Sequence, residues 1–343
     1  MKKSSVIIIG ILLILTALSI YIYKSKGKST TVDIDARNFK FKDTALITKI
    51  FIADKEGDQS TIERTKNGWV VNNKFPCRSD AILNLLEAIR NVEVKMPVPK
   101  SAKENVLKIM ASSALKVEIY VGTDLVKQYY VGHETPDSEG SYMLLTDVNS
   151  GKNYDQPFVC FIPGFIGYLI PRFIAKESEW RDRLVINYIP PQLKQIKVEH
   201  LETPGSSFTI ELLNTKTFKL KNNFNSEIPF DEFKMKQYLA YFQNVSYEVL
   251  LSKKSKKLTD SLARLKPFDI ITVTGTDFKT DVYKFYHKQT PNTAPEHGVV
   301  YKYDPDRMYL SFDNNREWAI IQTFVFGKLL VSPDYFLPES VKK

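Results

Sequence analysis

Four histidines, His133, His200, His287 and His297, are the only imidazoles of this 343-residue chain; Cys77 and Cys160 are its only thiols. None of the histidines belongs to an HExxH pair, which places two zinc ligands and a base on one helix face. His133-Glu134 continues instead as Thr-Pro-Asp. His133, Glu134, Asp137 and Glu139 do crowd one stretch flanked by Gly and Pro. Imidazole beside carboxylates can bind a divalent cation or transfer a proton. The same composition also suits a solvated polar loop. Asp54, Glu56 and Asp58 surround Gly57 like the start of a calcium loop. Position 12 of such a loop, which needs an acidic residue, is Thr65, so the segment reads as a turn. Asp304 and Asp306 around Pro305 read as turn chemistry as well.

Nucleophile and phosphate motifs are absent. There is no GxSxG elbow, no GxGxxG and no GxxxxGK[ST] loop. Cys160 stands in an apolar run, where a thiol is inert. With no CxxC or Cys/His spacing, a zinc site is not expected either. The two cysteines are compatible with one disulfide or with two buried free thiols. These residues predict no catalytic group, no metal and no cofactor. Trp180-Arg181-Asp182-Arg183 offers the residue types favoured at binding hot spots. It reads either as a contact surface or as packing, with Asp182 pairing an arginine. The binding candidates are therefore Trp180, Arg181 and Arg183, with His133 and Asp137.

The elements that would position these groups begin with an apolar run. Val6 to Tyr23 holds 18 residues without a charge, enough to cross a bilayer as a helix. Tyr21 and Tyr23 suit an interface, and Lys24, Lys26 and Lys28 follow. The rival reading, a cleaved signal peptide with Ala17-Leu18-Ser19 as its site, conflicts with apolar sequence continuing past that site. The expectation is an uncleaved anchor bounded by Val6 and Tyr23. It implies a single-pass protein of the inner (cytoplasmic) membrane, partnered with that membrane, its body outside the cytoplasm. Setting aside Lys2, Lys3, Lys24, Lys26 and Lys28, 43 basic residues face 39 acidic ones. A near-balanced body argues against a nucleic-acid partner. Lys253, Lys254, Lys256 and Lys257 read as a solvated helix start.

The body repeats. Asn91 and Asn244 stand 153 residues apart. At the same offset Ile82, Leu85, Leu86, Ile89 and Val92 match Met235, Tyr238, Leu239, Phe242 and Val245, the stripe of an amphipathic helix. Ser79 or Asp80 is the expected cap of the first helix, and Asp231 of the second. Gly122-Thr123-Asp124 and Gly275-Thr276-Asp277 keep the offset, each between two β-rich runs. Ile47, Ile50 and Ile52 correspond to Leu193, Ile196 and Val198, and Val159 to Ile170 corresponds to Ala319 to Leu330. A second helix starts at the capping box Ser101 to Glu104. The predicted fold is α+β: an N-terminal transmembrane helix, then two tandem repeats of an antiparallel sheet packed with helices. The predicted segments are an anchor at 1–28, a tether at 29–43, repeat one at 44–188 and repeat two at 189–339.

Several stretches also carry a family likeness. They are Ile47 to Gly57, Gly68-Trp69, Pro97 to Val106, Tyr129 to Gly132, Gly140 to Met143, Phe158 to Leu169, and Trp180 to Arg183. Together they resemble an uncharacterised bacterial membrane-anchored envelope family, a domain of unknown function. Some of its relatives are encoded beside gliding-motility-type ABC transporter components. The resemblance implies an envelope protein with a protein partner, such as transporter subunits, and supplies no catalytic residues. The leading expectation is thus a non-enzymatic, membrane-anchored binding or scaffold protein. The alternative is an envelope hydrolase or metal-dependent enzyme using the 133–139 loop. A cell-wall glycan binder is a third.

Overall fold

The computed structural model describes residues 15–16, 35–214, 216–251, 255–290 and 301–338. The chain divides into two units between Asp182 and Arg183. In the first unit the strands are β1 (Lys49–Ala53), β2 (Gln59–Thr65), β3 (Gly68–Val71), β4 (Phe75–Pro76), β5 (Glu93–Pro97), β6 (Leu115–Val121), β7 (Asp124–Glu134), β8 (Ser141–Thr146) and β9 (Phe158–Phe161). Its helices are α1 (Ser79–Asn91), α2 (Lys100–Ser113) and the short α3 (Glu177–Trp180). The sheet runs β4-β3-β2-β1-β6-β7-β8-β9-β5, with every pairing antiparallel.

Period-two alternation decides which side of this sheet is covered. Ile50 and Ile52 of β1, Val117 and Ile119 of β6, and Tyr129 and Val131 of β7 are all buried in one cluster. They meet Ile82, Leu85 and Ile89 of α1. Val106 and Met110 of α2 join a separate small cluster with Leu144 and Val159, so α2 covers the opposite face near β8 and β9. Residue 78, not Ser79 or Asp80, is the N-cap of α1. Asp80 instead accepts hydrogen bonds from the Arg78 guanidinium. Likewise the N-cap of α2 is Pro99, two residues before the expected Ser101 cap.

The second unit contains β10 (Leu184–Ile186), β11 (Leu193–His200), β12 (Phe208–Leu212), β13 (Phe218–Asn222), β14 (Val245–Ser246), β15 (Val249–Leu250), β16 (Asp269–Gly275), β17 (Thr280–Gln289), β18 (Tyr303–Phe312) and β19 (Glu317–Gln322). Its helices are α4 (Glu232–Ala240), α5 (Lys256–Leu262) and α6 (Thr323–Phe326). Its main sheet runs β13-β12-β11-β16-β17-β18-β19-β15, while β10 pairs separately with β14. Apart from β4, this is the strand order of the first sheet. Asp231 caps α4, its carboxylate accepting from the Lys234 amide at 3.0 Å. Met235, Tyr238 and Leu239 of α4 enter the main core, and Leu262 of α5 joins Tyr286 and Trp318 in a small cluster. One helix thus joins the main core and the other a satellite cluster, as in the first unit.

The membrane-spanning part of the expected fold is corrected. Among the described residues no helix is long and apolar enough to cross a membrane. The longest, α2, has 14 residues, short of the roughly 20 that a bilayer core requires. The run Val6–Tyr23 lies outside the described residues except for Leu15 and Thr16. The single-pass topology, the membrane partnership and the inner-membrane location rested on that helix and have no structural support. The α+β composition of the body agrees with the expectation.

Two core residues give opposite predictions. Trp180 is fully buried, its indole N–H donating to the Ile174 carbonyl at 2.8 Å. Trp180→Ala should cost about 3–5 kcal/mol, read from the shift in denaturant midpoint. Tyr129 is equally buried, but its hydroxyl meets no hydrogen-bond partner among the described residues. Desolvation pushes that phenol well above its ordinary pKa. Tyr129→Phe removes a polar atom that the core desolvates without compensation. It should leave stability unchanged or raise it by about 1 kcal/mol in the same measurement.

Candidate metal centre

The loop joining β1 to β2 brings three carboxylates together. In an extended strand, Asp54 and Asp58 would stand roughly 13 Å apart at about 3.3 Å per residue. The turn folds that distance away. The Asp54 amide donates to the Asp58 carbonyl at 3.0 Å. Asp54 Oδ1 accepts from the amides of Glu56 and Asp58, both at 2.9 Å. Gly57 takes φ of +95°, where a side chain would strain the backbone. One oxygen each from Asp54, Glu56 and Asp58 then lie within 4.8 Å of one another. Asp54 and Asp58 are half-buried, Glu56 is exposed, and Asp58 Oδ2 is shielded from water. The hairpin is tied to the body below the tip, where the buried Ser60 hydroxyl donates to the Ala175 carbonyl at 2.7 Å. Lys55, the cation within the loop, lies 5.9 Å from the centre of the Tyr130 ring.

This grouping corrects the expectation of a chain without convergent chemistry. Among the described residues, it is the set of three or more acidic, histidine or cysteine side chains placed to hold a metal ion. The 133–139 loop does not form one. His133 sits on β7, its ring 4.8 Å from that of Tyr142, with Nδ1 buried and lacking a hydrogen-bond partner. Glu139 is paired with Lys95 at 2.9 Å, and Asp137 stands 3.7 Å from the same ammonium. Asp137 also accepts from the Thr135 hydroxyl and the Glu139 amide. The Thr135 hydrogen bond leads in holding the Asp137 carboxyl below its usual range, and the Glu139 contact leads in raising Lys95. A lysine already balances this loop.

The remaining candidates separate. Trp180 is core, not contact surface. The Arg181 guanidinium lies 3.5 Å over the Phe75 ring, and the Arg181 backbone bridges to Cys77. The carbonyl of Arg183 accepts from the Tyr247 amide at 3.0 Å. Both cysteines are free thiols. Burial pushes Cys77 up to about 12 and Cys160 well above its ordinary value, so neither is a ready nucleophile. Of the lysine run, Lys256 and Lys257 are exposed on α5, as a solvated helix start requires; Lys253 and Lys254 lie outside the described residues.

Residues 69–264 match a family described as a domain of unknown function, DUF4340. The chain belongs to that family. Neither a curated protein nor a solved structure matches it. DUF4340 membership stands alone: it brings no evidence of anchoring or of motility-linked relatives, so the envelope family expected from sequence is corrected to DUF4340. The match begins at Trp69 on β3, so the 54–58 loop precedes the matched span.

The sequence signal for the carboxylate group is local. Acidic residues at i, i+2 and i+4 around a glycine need only a tight turn to converge. An acidic residue at position 12 is a requirement of one helix-flanked calcium loop and not of a hairpin. Gly57→Val should disperse the carboxylates and destabilise the hairpin by about 1 kcal/mol or more through the φ penalty alone. Thermal denaturation measures the loss.

Proposed function

We propose that this DUF4340 chain binds a divalent cation of the calcium type at the β1–β2 loop, through Asp54, Glu56 and Asp58, and acts as a metal-dependent protein. The observation that carries the reading is the convergence of three carboxylate oxygens within 4.8 Å. Calcium–oxygen bonds of about 2.3–2.6 Å place opposed ligands roughly 4.6–5.2 Å apart, so the span suits ligands of one ion. Hard carboxylate oxygens with no sulfur or imidazole select calcium, magnesium or manganese over zinc and copper. Two ionised carboxylates at this separation repel by about 1 kcal/mol even in a water-like dielectric. A bound cation converts that repulsion into attraction.

Exposure of Glu56 leaves one side of the loop open to solvent. An ion held there would keep coordination positions for water or for an anionic oxygen ligand, such as a phosphate or carboxylate. In that position it would act as a Lewis acid on the ligand oxygen. This reading favours metal-dependent chemistry over a passive scaffold and places it at residues 54–58 instead of 133–139.

Calorimetric titration of the full chain with calcium tests it. Saturable binding with a Kd of about 1 mM or tighter is expected. At a hundredfold excess over Kd the ion should add about 2.7 kcal/mol of stability, visible as a higher melting temperature. Asp54→Asn with Asp58→Asn should weaken binding at least tenfold, about 1.4 kcal/mol. Asp137→Ala with Glu139→Ala should leave it unchanged. Absence of heat and of thermal shift, or undiminished binding by the Asp54/Asp58 variant, would overturn the proposal.

A further inference from the structure

A second buried group of polar residues lies at one end of the second sheet, and the cation reading does not use it. His200 ends β11 and Asp269 begins β16; the two are direct cross-strand partners. Both are buried. His200 Nδ1 stands 2.8 Å from Asp269 Oδ1, and Nε2 stands 3.1 Å from the Val331 carbonyl oxygen. Both atoms facing the ring are acceptors. A neutral imidazole has one N–H and can donate to only one of them, while its other lone pair confronts an oxygen. Only the imidazolium donates to both.

Val331 belongs to the stretch that closes the second core. Phe326, Leu329 and Phe336 are fully buried in that core with Phe208 and Tyr238. Other contacts hold the same stretch: the Tyr238 hydroxyl donates to the Leu329 carbonyl at 2.9 Å, the Asp231 amide to the Phe336 carbonyl at 2.7 Å, and Lys234 to the Leu337 carbonyl at 3.0 Å. His200 is the titratable member of this set near neutral pH. We propose that His200, Asp269 and the Val331 carbonyl form a proton-dependent clasp, which holds residues 326–337 against the second core and loosens them when the imidazole becomes neutral.

Charges around the ring support this assignment. From β16 only Asp269 faces it. On its own side, Glu199 pairs with Lys197, and Glu202 pairs with His287 of β17. From the β12 side come the Phe208 ring and Ser207, whose hydroxyl oxygen accepts from the His200 amide. On the C-terminal stretch, Lys328 lies over the Tyr241 and Phe324 rings and Asp334 is exposed. The Asp269 hydrogen bond leads in raising the His200 pKa, opposed by desolvation. The direction fixes the sign. Stability from the clasp is fully present below the ordinary histidine pKa of about 6.5 and is lost as pH rises through the higher folded value.

The test is a pH titration of the full chain carrying ¹⁵N-labelled histidine, with His200→Gln used to assign the His200 signal. Amide-exchange protection of residues 326–337, corrected for intrinsic exchange, is followed in parallel. The His200 midpoint should lie above the ordinary histidine value of about 6.5, with both ring nitrogens protonated below it. Protection should fall severalfold with the same midpoint as His200, while strands β2 and β6 keep theirs. Asp269→Asn should move both midpoints to lower pH together. A His200 midpoint at or below the ordinary histidine value of about 6.5, or protection that stays constant through its titration, would overturn the clasp. Should Asp269→Asn fail to fold, the two wild-type midpoints decide alone, and their divergence counts against the proposal.

Discussion

The antiparallel pairing of the opening strand with the strand that follows two helices is the constraint on which each unit depends. In the first unit β1 pairs with β2 on one side and with β6 on the other, Ile50 opposite both Ile62 and Ile119. In the second, β11 pairs with β12 and β16, Ile196 opposite Ile210 and Val273. A local hairpin is thereby stitched to a distant one. The chain between forms two helices and, between them, an edge strand of the same sheet, β5 in the first unit and β15 in the second. Because side chains alternate across the pleat, the register also decides which face each helix finds apolar. A slip of one residue would turn Ile50 and Ile52 to the wrong face and remove the seat of α1.

The candidate cation site follows from that pairing. Ala53 and Gln59 are the last partners of the β1–β2 ladder, which leaves 54–58 as the loop. Asp54 closes it by accepting two amides, and Gly57 supplies the backbone angle that a side chain resists. The carboxylates converge because the hairpin must turn there, and their mutual repulsion makes an ion a natural ligand. In the 133–139 loop, Lys95 from the edge strand β5 sits among the acids Asp137 and Glu139.

His200 and Asp269 show the same dependence. They are neighbours only because β11 and β16 are paired, and they lie 69 residues apart in sequence. The third partner, Val331, is a backbone carbonyl 131 residues from His200. Burial makes the arrangement selective for one protonation state, since an unmatched lone pair facing an oxygen has no water to relieve it.

Much of the architecture was legible in the residues themselves. The stripe of Ile82, Leu85 and Ile89 specifies the face of α1, because a 3.6-residue period leaves no other way to bury those side chains together. Asp231 specifies the cap of α4, and the runs around Gly122 and Gly275 specify strand, turn, strand. These are local properties, set by periodicity and by backbone geometry within a few residues. What the sequence could not settle were meetings between distant groups, and the apolar run at Val6–Tyr23, which suggested a spanning helix that the described residues do not contain. Trp180 suited a contact surface or packing equally well by residue type, and burial in the first core decides for packing. Asp137 suited either a cation ligand or a solvated polar loop, and Lys95 from another strand pairs with its carboxylate. The Asp54, Glu56 and Asp58 carboxylates looked like an ordinary turn until the β1–β2 register fixed how tightly that turn closes. Tertiary structure decided each of these, because charge balance and burial depend on which atoms lie within a few ångströms, and the sheet sets that across tens of residues of chain.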